Sequence, residues 1–365
     1  METLKLSGLI CELKELVNKF LADYGEKNLR GGGAPDCIHS FKIGSVSIKN
    51  PVISAPLAGI SDNTYRIFAR YFGSALTYTG MIASYGIYYN HRKSMALADI
   101  TDYEKPCSLQ LFGSDPGILA EAAVKVEDKA DIIDINMGCP VPKVLKSKSG
   151  GYLLQDEVKV EKIIKKLSSV LKKPLTIKTR TGWDSSSINI LNIAKITECS
   201  GACAISIHGR TVKQRFSGEV DYGLIKKVKE KIKIPVIVSG DVDSLKKAIE
   251  VLDYTGCDGV MIGRAAKGRH WLIMNILMSL SSVGTGNKLV DPEFDPDVDW
   301  KKEFSKLYLK FLIYFKGENR GAKEFRKYLS WIFKGMEGLN RAKCGFFKIK
   351  KFDEAINCID MVDRV

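Results

Sequence analysis

The 365-residue sequence predicts a (β/α)8 barrel in the α/β class, flanked by an N-terminal helical extension and a small C-terminal all-helical domain. Three observations lead there. Eight short apolar runs alternate with amphipathic segments through the middle of the chain. No GxGxxG follows the first run, which weakens the alternative of a doubly wound open sheet. The texture changes after residue 284, where a Gly-, Pro- and Asp-rich stretch leads into basic residues at helical spacing.

Taken in order, residues 4–21 place Leu6, Leu9, Ile10, Leu13, Leu16, Val17, Phe20 and Leu21 at alternating spacings of three and four, one face of a helix. Gly25 and Gly31-Gly32-Gly33 break the pattern. Residues 1–40 therefore read as a tethered appendage that either docks on the body or self-associates with another chain. The barrel is expected over 41–284. Its strands are Val52–Ala55, Ala75–Tyr78, Ser108–Leu111, Ile132–Ile135, Leu175–Lys178, Ala204–Ile207, Val236–Ser239 and Gly259–Ile262. Each is short and apolar, as a parallel strand covered on both faces must be. Pro116–Lys129, Glu157–Leu171 and Ser244–Tyr254 read as helices between them. Residues 285–299 form a linker. Residues 300–365 form the helical domain, with Phe304, Leu307, Tyr308, Phe311, Leu312 and Phe315 at helical spacing.

The composition, 45% hydrophobic and 27% charged, is ordinary for a globular protein. No apolar run reaches the roughly 18 residues of a membrane helix; the longest, Trp271–Val283, is interrupted by Asn275 and serines. The N-terminus has no basic segment followed by a cleavage site, so a cytoplasmic protein is expected. The nine cysteines are scattered without a CxxC pair, which favours reduced thiols. Cys199 and Cys203 lie close in sequence, yet no His or Cys cluster completes a metal site. The formal net charge is +14, and residues 301–365 hold sixteen Lys and Arg against eight Asp and Glu. That excess suits a polyanionic partner, or a lysine-rich decoration of surface helices.

Barrel enzymes carry their chemistry at the C-terminal ends of the strands. That rule selects Pro56-Leu57-Ala58-Gly59, Gln110, Asn136-Met137-Gly138-Cys139-Pro140, Lys178 with Arg180, His208-Gly209-Arg210, Ser239-Gly240-Asp241 and Gly263-Arg264. The last two turns carry glycines that let backbone N–H groups approach a phosphate, with Arg264 adding charge. A lysine on a buried strand needs an anionic partner, and Lys178 with Gln110 and His208 could grip the edge of a planar heterocycle. Cys139 is a general-acid candidate, because a free thiol with pKa near ~8.5 is mostly protonated at neutral pH. A nucleophilic or an inert buried thiol are the other readings of the same residue.

The segments Ala55–Asp62, Leu109–Gly113, Asp134–Pro140, Lys178–Trp183, His208–Thr211, Ser239–Val242 and Gly263–Ala266 occur in this order at strand ends. As a set they resemble the tRNA-dihydrouridine synthases, most of all the bacterial B branch, over roughly residues 41–350. The resemblance implies an FMN-bearing barrel, NADPH as reductant, and a basic helical domain that binds tRNA. It implies hydride transfer to C6 of a uridine, protonation of C5 by Cys139, and Asn136 holding the uracil. It further implies Gln110, Lys178 and His208 at the isoalloxazine, with Pro56, Leu57 and Ala58 also on the cofactor side. Ser239, Gly240, Asp241, Gly263 and Arg264 would hold the phosphate end, and Lys143 and Arg210 would touch substrate. Three departures stand out: Leu57 where Met is usual, Ser239 where Asn is usual, and the helix of residues 4–21, which has no counterpart. Two other readings remain open at this point. One is an FMN barrel acting on a free pyrimidine; the other is an RNA-binding protein with a vestigial flavin site.

Overall fold

The computed structural model describes residues 5–28, 39–283, 294–336, 339 and 345–362. The expected glycine linker at 31–33 and most of the linker at 285–299 lie outside the described residues. A first helix, α1 (Leu6–Asn28), precedes a hairpin of β1 (Phe41–Ile43) and β2 (Val46–Ile48). Then come β3 (Val52–Ser54), α2 (Asn63–Tyr71), β4 (Thr77–Tyr78), β5 (Ile82–Ala83), α3 (Ser84–Tyr88), α4 (Arg92–Leu97), β6 (Cys107–Phe112) and α5 (Pro116–Val126). β7 (Ile132–Met137), α6 (Pro142–Lys146), α7 (Glu157–Ser168), β8 (Leu175–Arg180), α8 (Ile190–Cys199), β9 (Ala204–His208) and α9 (Tyr222–Lys229) follow. β10 (Val236–Ser239), α10 (Leu245–Thr255), β11 (Gly259–Ile262) and α11 (Trp271–Val283) complete the repeat. The chain continues through α12 (Val298–Lys316), α13 (Glu318–Ile332) and α14 (Phe352–Asp360).

The strands pair in the order β3-β11-β10-β9-β8-β7-β6-β4, and every pairing among them is parallel. The ring closes where Ser54 N–H donates to Leu76 O at 3.0 Å and Ala75 N–H donates to Val52 O at 2.8 Å. All eight expected strands are present. The second is split, with β5 pairing the far end of β6. Local chemistry sets the helix starts: Asp115, Asp156 and Ser244 cap α5, α7 and α10 by accepting from the backbone N–H three residues on.

Three apolar clusters fill the molecule. The largest lies between the sheet and its outer helices. A second fills the barrel floor, where Ile43 and Ile48 of the hairpin meet Ile53, Leu76, Tyr78, Ile132, Ile237 and Met261. The sequence reading missed this hairpin, because its strands are only three residues long. The third joins the N-terminal helix and the C-terminal helices to the barrel. Leu9, Leu13, Leu16 and Phe20 of α1 are buried with Phe68 of α2 and Phe72 just past its end, Trp271 of α11, and Trp300, Phe304 and Tyr308 of α12. Of the two readings of the first helix, docking on the body is the one seen. α1 also runs through Gly25 instead of ending there. The C-terminal helices share this core with the barrel's own outer helices, and α12 starts at Val298, capped by Asp297.

Candidate active site

The C-terminal strand ends open into a cavity of about 510 Å³, within the size range of ligand sites. Pro56, Leu57, Ala58, Gln110, Asn136, Cys139, Lys178, His208, Ser239, Gly240, Asp241, Gly263 and Arg264 all line it. Two expected substrate contacts do not. Lys143 projects from α6 into solvent. Arg210 is buried behind the wall, donating to Gly218 O at 2.6 Å and pairing with Asp241.

A hydrogen-bonded chain runs across four elements beneath the cavity. Thr176 Oγ1 donates to Asp134 Oδ1 at 2.7 Å, and Gln110 Nε2 donates to Asp134 Oδ2 at 2.7 Å. Asn136 Nδ2 donates to Gln110 Oε1 at 3.0 Å. Asn136 Oδ1 then accepts from the N–H groups of Gly138 at 3.2 Å and Cys139 at 2.9 Å. The parallel registers Gln110–Asp134 and Asn136–Lys178 bring these side chains together. The Cys139 loop thus hangs from a fixed amide. Burial pushes the Cys139 thiol up from its ordinary value, against smaller opposing effects from the Val141 backbone, Arg180 and Lys178. A raised thiol holds its proton, which favours the acid over the nucleophile.

The cavity is strongly cationic. Burial and the neighbouring Arg180 lower Lys178 from 10.5 to about 8. Its ammonium makes no hydrogen bond or ion pair among the described residues. Burial, then Arg180 and Lys178, lower His208 from 6.5 to about 2, so the ring is neutral. Its Nε2 is buried without a hydrogen-bond partner among the described residues. Asp241 sits between two guanidiniums, pairing with Arg210 and accepting from Arg264 Nη2 at 2.7 Å. These contacts hold its carboxyl below the usual range. The Asp241 side chain therefore positions arginines, and its backbone is what remains for an anion.

The dihydrouridine synthase (Dus) family model matches residues 53–364. The chain belongs to the dihydrouridine synthase family. It is 39% identical over 298 residues to tRNA-dihydrouridine synthase B of Vibrio parahaemolyticus, covering 81% of this chain and 90% of that relative. It is 37% identical to the Vibrio cholerae protein of that name, covering 88% and 98% of the two chains. The Pseudomonas aeruginosa protein is 36% identical, with 86% and 92% covered. Among solved structures, histamine dehydrogenase from Rhizobium sp. 4-9 superposes with a TM-score of 0.52 at 10% identity, covering 68% of this chain and 48% of that one. The 6-hydroxypseudooxynicotine amine oxidase of Pseudomonas geniculata N1 gives 0.54 at 11%, covering 68% and 50%. Those two share the barrel alone.

In this dihydrouridine synthase the wall also includes Arg180, a strand-end candidate beside Lys178, and Met81, Phe216, Val242, Asp243 and Met261, which were given no role from sequence. Arg180 was visible two residues past Lys178. Phe216 was not, because it lies in an irregular loop. Its ring is about half exposed and is flanked by the guanidiniums of Arg264 at 4.3 Å and Arg180 at 5.5 Å. The helical domain packs against the segments that follow the wall residues Ala58 and Ala265. Lys327 Nζ donates to Gly59 O at 2.7 Å, Lys316 pairs with Asp62, and Lys267 sits 4.8 Å over the Trp331 ring. Among the described residues no helix is long and apolar enough to cross a membrane. Nor do any three His, Cys, Asp or Glu side chains there form a metal-binding group.

Proposed function

We propose that this dihydrouridine synthase reduces the 5,6 double bond of a uridine in tRNA, with FMN as cofactor and NADPH as reductant, in the cytoplasm. The observation that carries the tRNA substrate is the docking of a cationic helical domain on the β3–α2 loop and beside the β11–α11 turn, segments that continue from the wall residues Ala58 and Ala265. A free pyrimidine would leave the exposed cations of that domain, beyond its part in the core, without a task. The names of the curated relatives point the same way.

The residues present fit a flavin. An unpaired Lys178 ammonium and an orphaned His208 Nε2 supply charge and hydrogen bonding for the polar edge of a ring. Arg264 and the turns at Gly240 and Gly263 supply the phosphate end. When bound, a flavin supplies the electron pair as a hydride for C6 of the uracil. Cys139 donates its proton to C5 from a thiol that burial keeps protonated. Asn136 holds the Cys139 loop in place and faces the base. Arg180 stabilises negative charge that develops on the pyrimidine carbonyls. Expelling the uridine from its stack costs a few kcal/mol, which phosphate contacts to the basic domain offset.

Incubating the enzyme with NADPH and either unmodified tRNA or free uridine tests the substrate. Dihydrouridine is expected in the tRNA alone, and equal turnover of the free nucleoside would overturn the proposal. Cys139→Ala is expected to retain flavin and tRNA binding while losing dihydrouridine formation by about 10²-fold or more; full activity would remove the acid role.

A further inference from the structure

Beyond the wall made by Pro140 and Phe216 lies a second cavity of about 560 Å³, lined also by Trp183, Val212, Lys213 and Arg215. We propose that it binds the nucleotide adjacent to the reacting uridine in the RNA strand, its base against Trp183 and its phosphate at Arg215. The inference rests on the tRNA substrate argued above and adds a subsite to it.

Continuity is the first reason. Pro140 follows Cys139 directly and borders both cavities, as does Phe216. A strand that delivers one base to Cys139 passes its neighbour over this wall.

The second reason is a firm aromatic surface. Trp183 packs edge-on against Tyr152, with ring centroids 6.0 Å apart. Its loop is knitted to the 211–218 loop by Val212 N–H donating to Gly182 O at 2.9 Å and Lys213 N–H donating to Trp183 O at 3.0 Å. Gly182 has φ 158°, and a Cβ there would lie 2.3 Å from Ser187 O, so only glycine makes this turn.

The third reason is an uncommitted cation. Lys213 is occupied by Asp184 at 2.8 Å. Arg215 is exposed, and its guanidinium makes no hydrogen bond or ion pair among the described residues. Its backbone is held at φ 52°, an uncommon conformation for a side chain of that size. An aromatic ring and an unpaired guanidinium lining one cavity match a base and its phosphate. The nicotinamide nucleotide of the reductant is the rival occupant, and the experiment separates the two.

Holoenzyme carrying Trp183→Leu or Arg215→Ala would be assayed in two ways: steady-state reduction of unmodified tRNA, and reduction of the bound flavin by NADPH without tRNA. Each variant is expected to raise KM for tRNA about tenfold, with kcat nearly unchanged and the NADPH half-reaction unaffected. A tRNA lacking the base next to the target uridine is expected to show the same rise with the wild-type enzyme and no further rise with Trp183→Leu. An unchanged tRNA KM in Arg215→Ala, whose side chain is exposed and dispensable for folding, would overturn the subsite. A slowed NADPH half-reaction would reassign the cavity to the reductant and equally overturn it. Wild-type enzyme inert towards all tRNA would instead sink the substrate reading on which the subsite rests.

Discussion

Lys178 is an ammonium inside a barrel with no partner among the described residues, lowered by burial and Arg180 to about 8. It is charged at neutral pH and loses that charge as pH rises through about 8. Flavin affinity, followed by fluorescence, is expected to hold steady below that point and weaken above it. Lys178→Met should bind flavin weakly at every pH, with that inflection gone. Asp134 acts one step further back. Burial raises it from 3.8 to about 7, and its two oxygens accept from Thr176 and Gln110. Asp134→Ala is expected to loosen Gln110 and with it Asn136, lowering kcat about tenfold or more while Cys139 remains titratable by a thiol reagent. The strand-end positions of Cys139, Lys178 and His208 were legible in the sequence, since alternation places strand ends without knowledge of contacts. The Asp134 chain was not, because its members meet across three different strands. The partners of Arg210 were hidden for a similar reason. Position in the chain marked it as substrate-facing, whereas Asp241 and the Gly218 carbonyl turn it inward.

Between elements, His270 is the sharpest case. It precedes α11 and is fully buried among the rings of Tyr65 and Phe68 from α2 and Phe304 and Tyr308 from α12. Burial lowers it from 6.5 to about 3. The folded protein therefore holds it neutral where the unfolded chain would take a proton. Its stability is intact above about pH 6.5 and is lost as pH falls from there towards 3, by about 2 kcal/mol at pH 5. Urea melts at pH 7 and 5 on wild type and His270→Phe would show it, the variant losing less stability on acidification by that amount. The helical spacing of residues 4–21 was equally plain in the sequence, but a stripe names no partner. Its partners, Phe72 just past α2 and Trp300 of α12, come from opposite ends of the chain.

For the molecule as a whole, the eightfold repeat was legible because buried parallel strands have a composition of their own. The unity of the helical parts was not, because nothing local says that two terminal segments share a core. This changes which experiment probes the tRNA surface. Deleting 300–365 would strip cover from Phe68 and Trp271 and unfold the protein. Neutralising exposed lysines is the cleaner test. Lys323→Gln, Lys334→Gln and Lys348→Gln together are expected to weaken tRNA binding and shallow its salt dependence, by roughly 0.7–0.9 log units per lost phosphate contact. Removing residues 1–28 is expected to cost several kcal/mol, at roughly 1.5–3 kcal/mol for each large apolar side chain lost from the core, and to cause aggregation on mild heating.

The joining of α1 to α12, through Lys19–Glu303, Lys310–Glu12 and Trp300 Nε1 donating to Leu16 O, also fixes an order of events. α1 leaves the ribosome before the barrel strands and must wait, its apolar stripe uncovered, until the barrel has been synthesised behind it. α12 then closes over it. The nascent chain is most exposed to self-association and to chaperones in that interval, and its final latch is a contact of very high sequence separation.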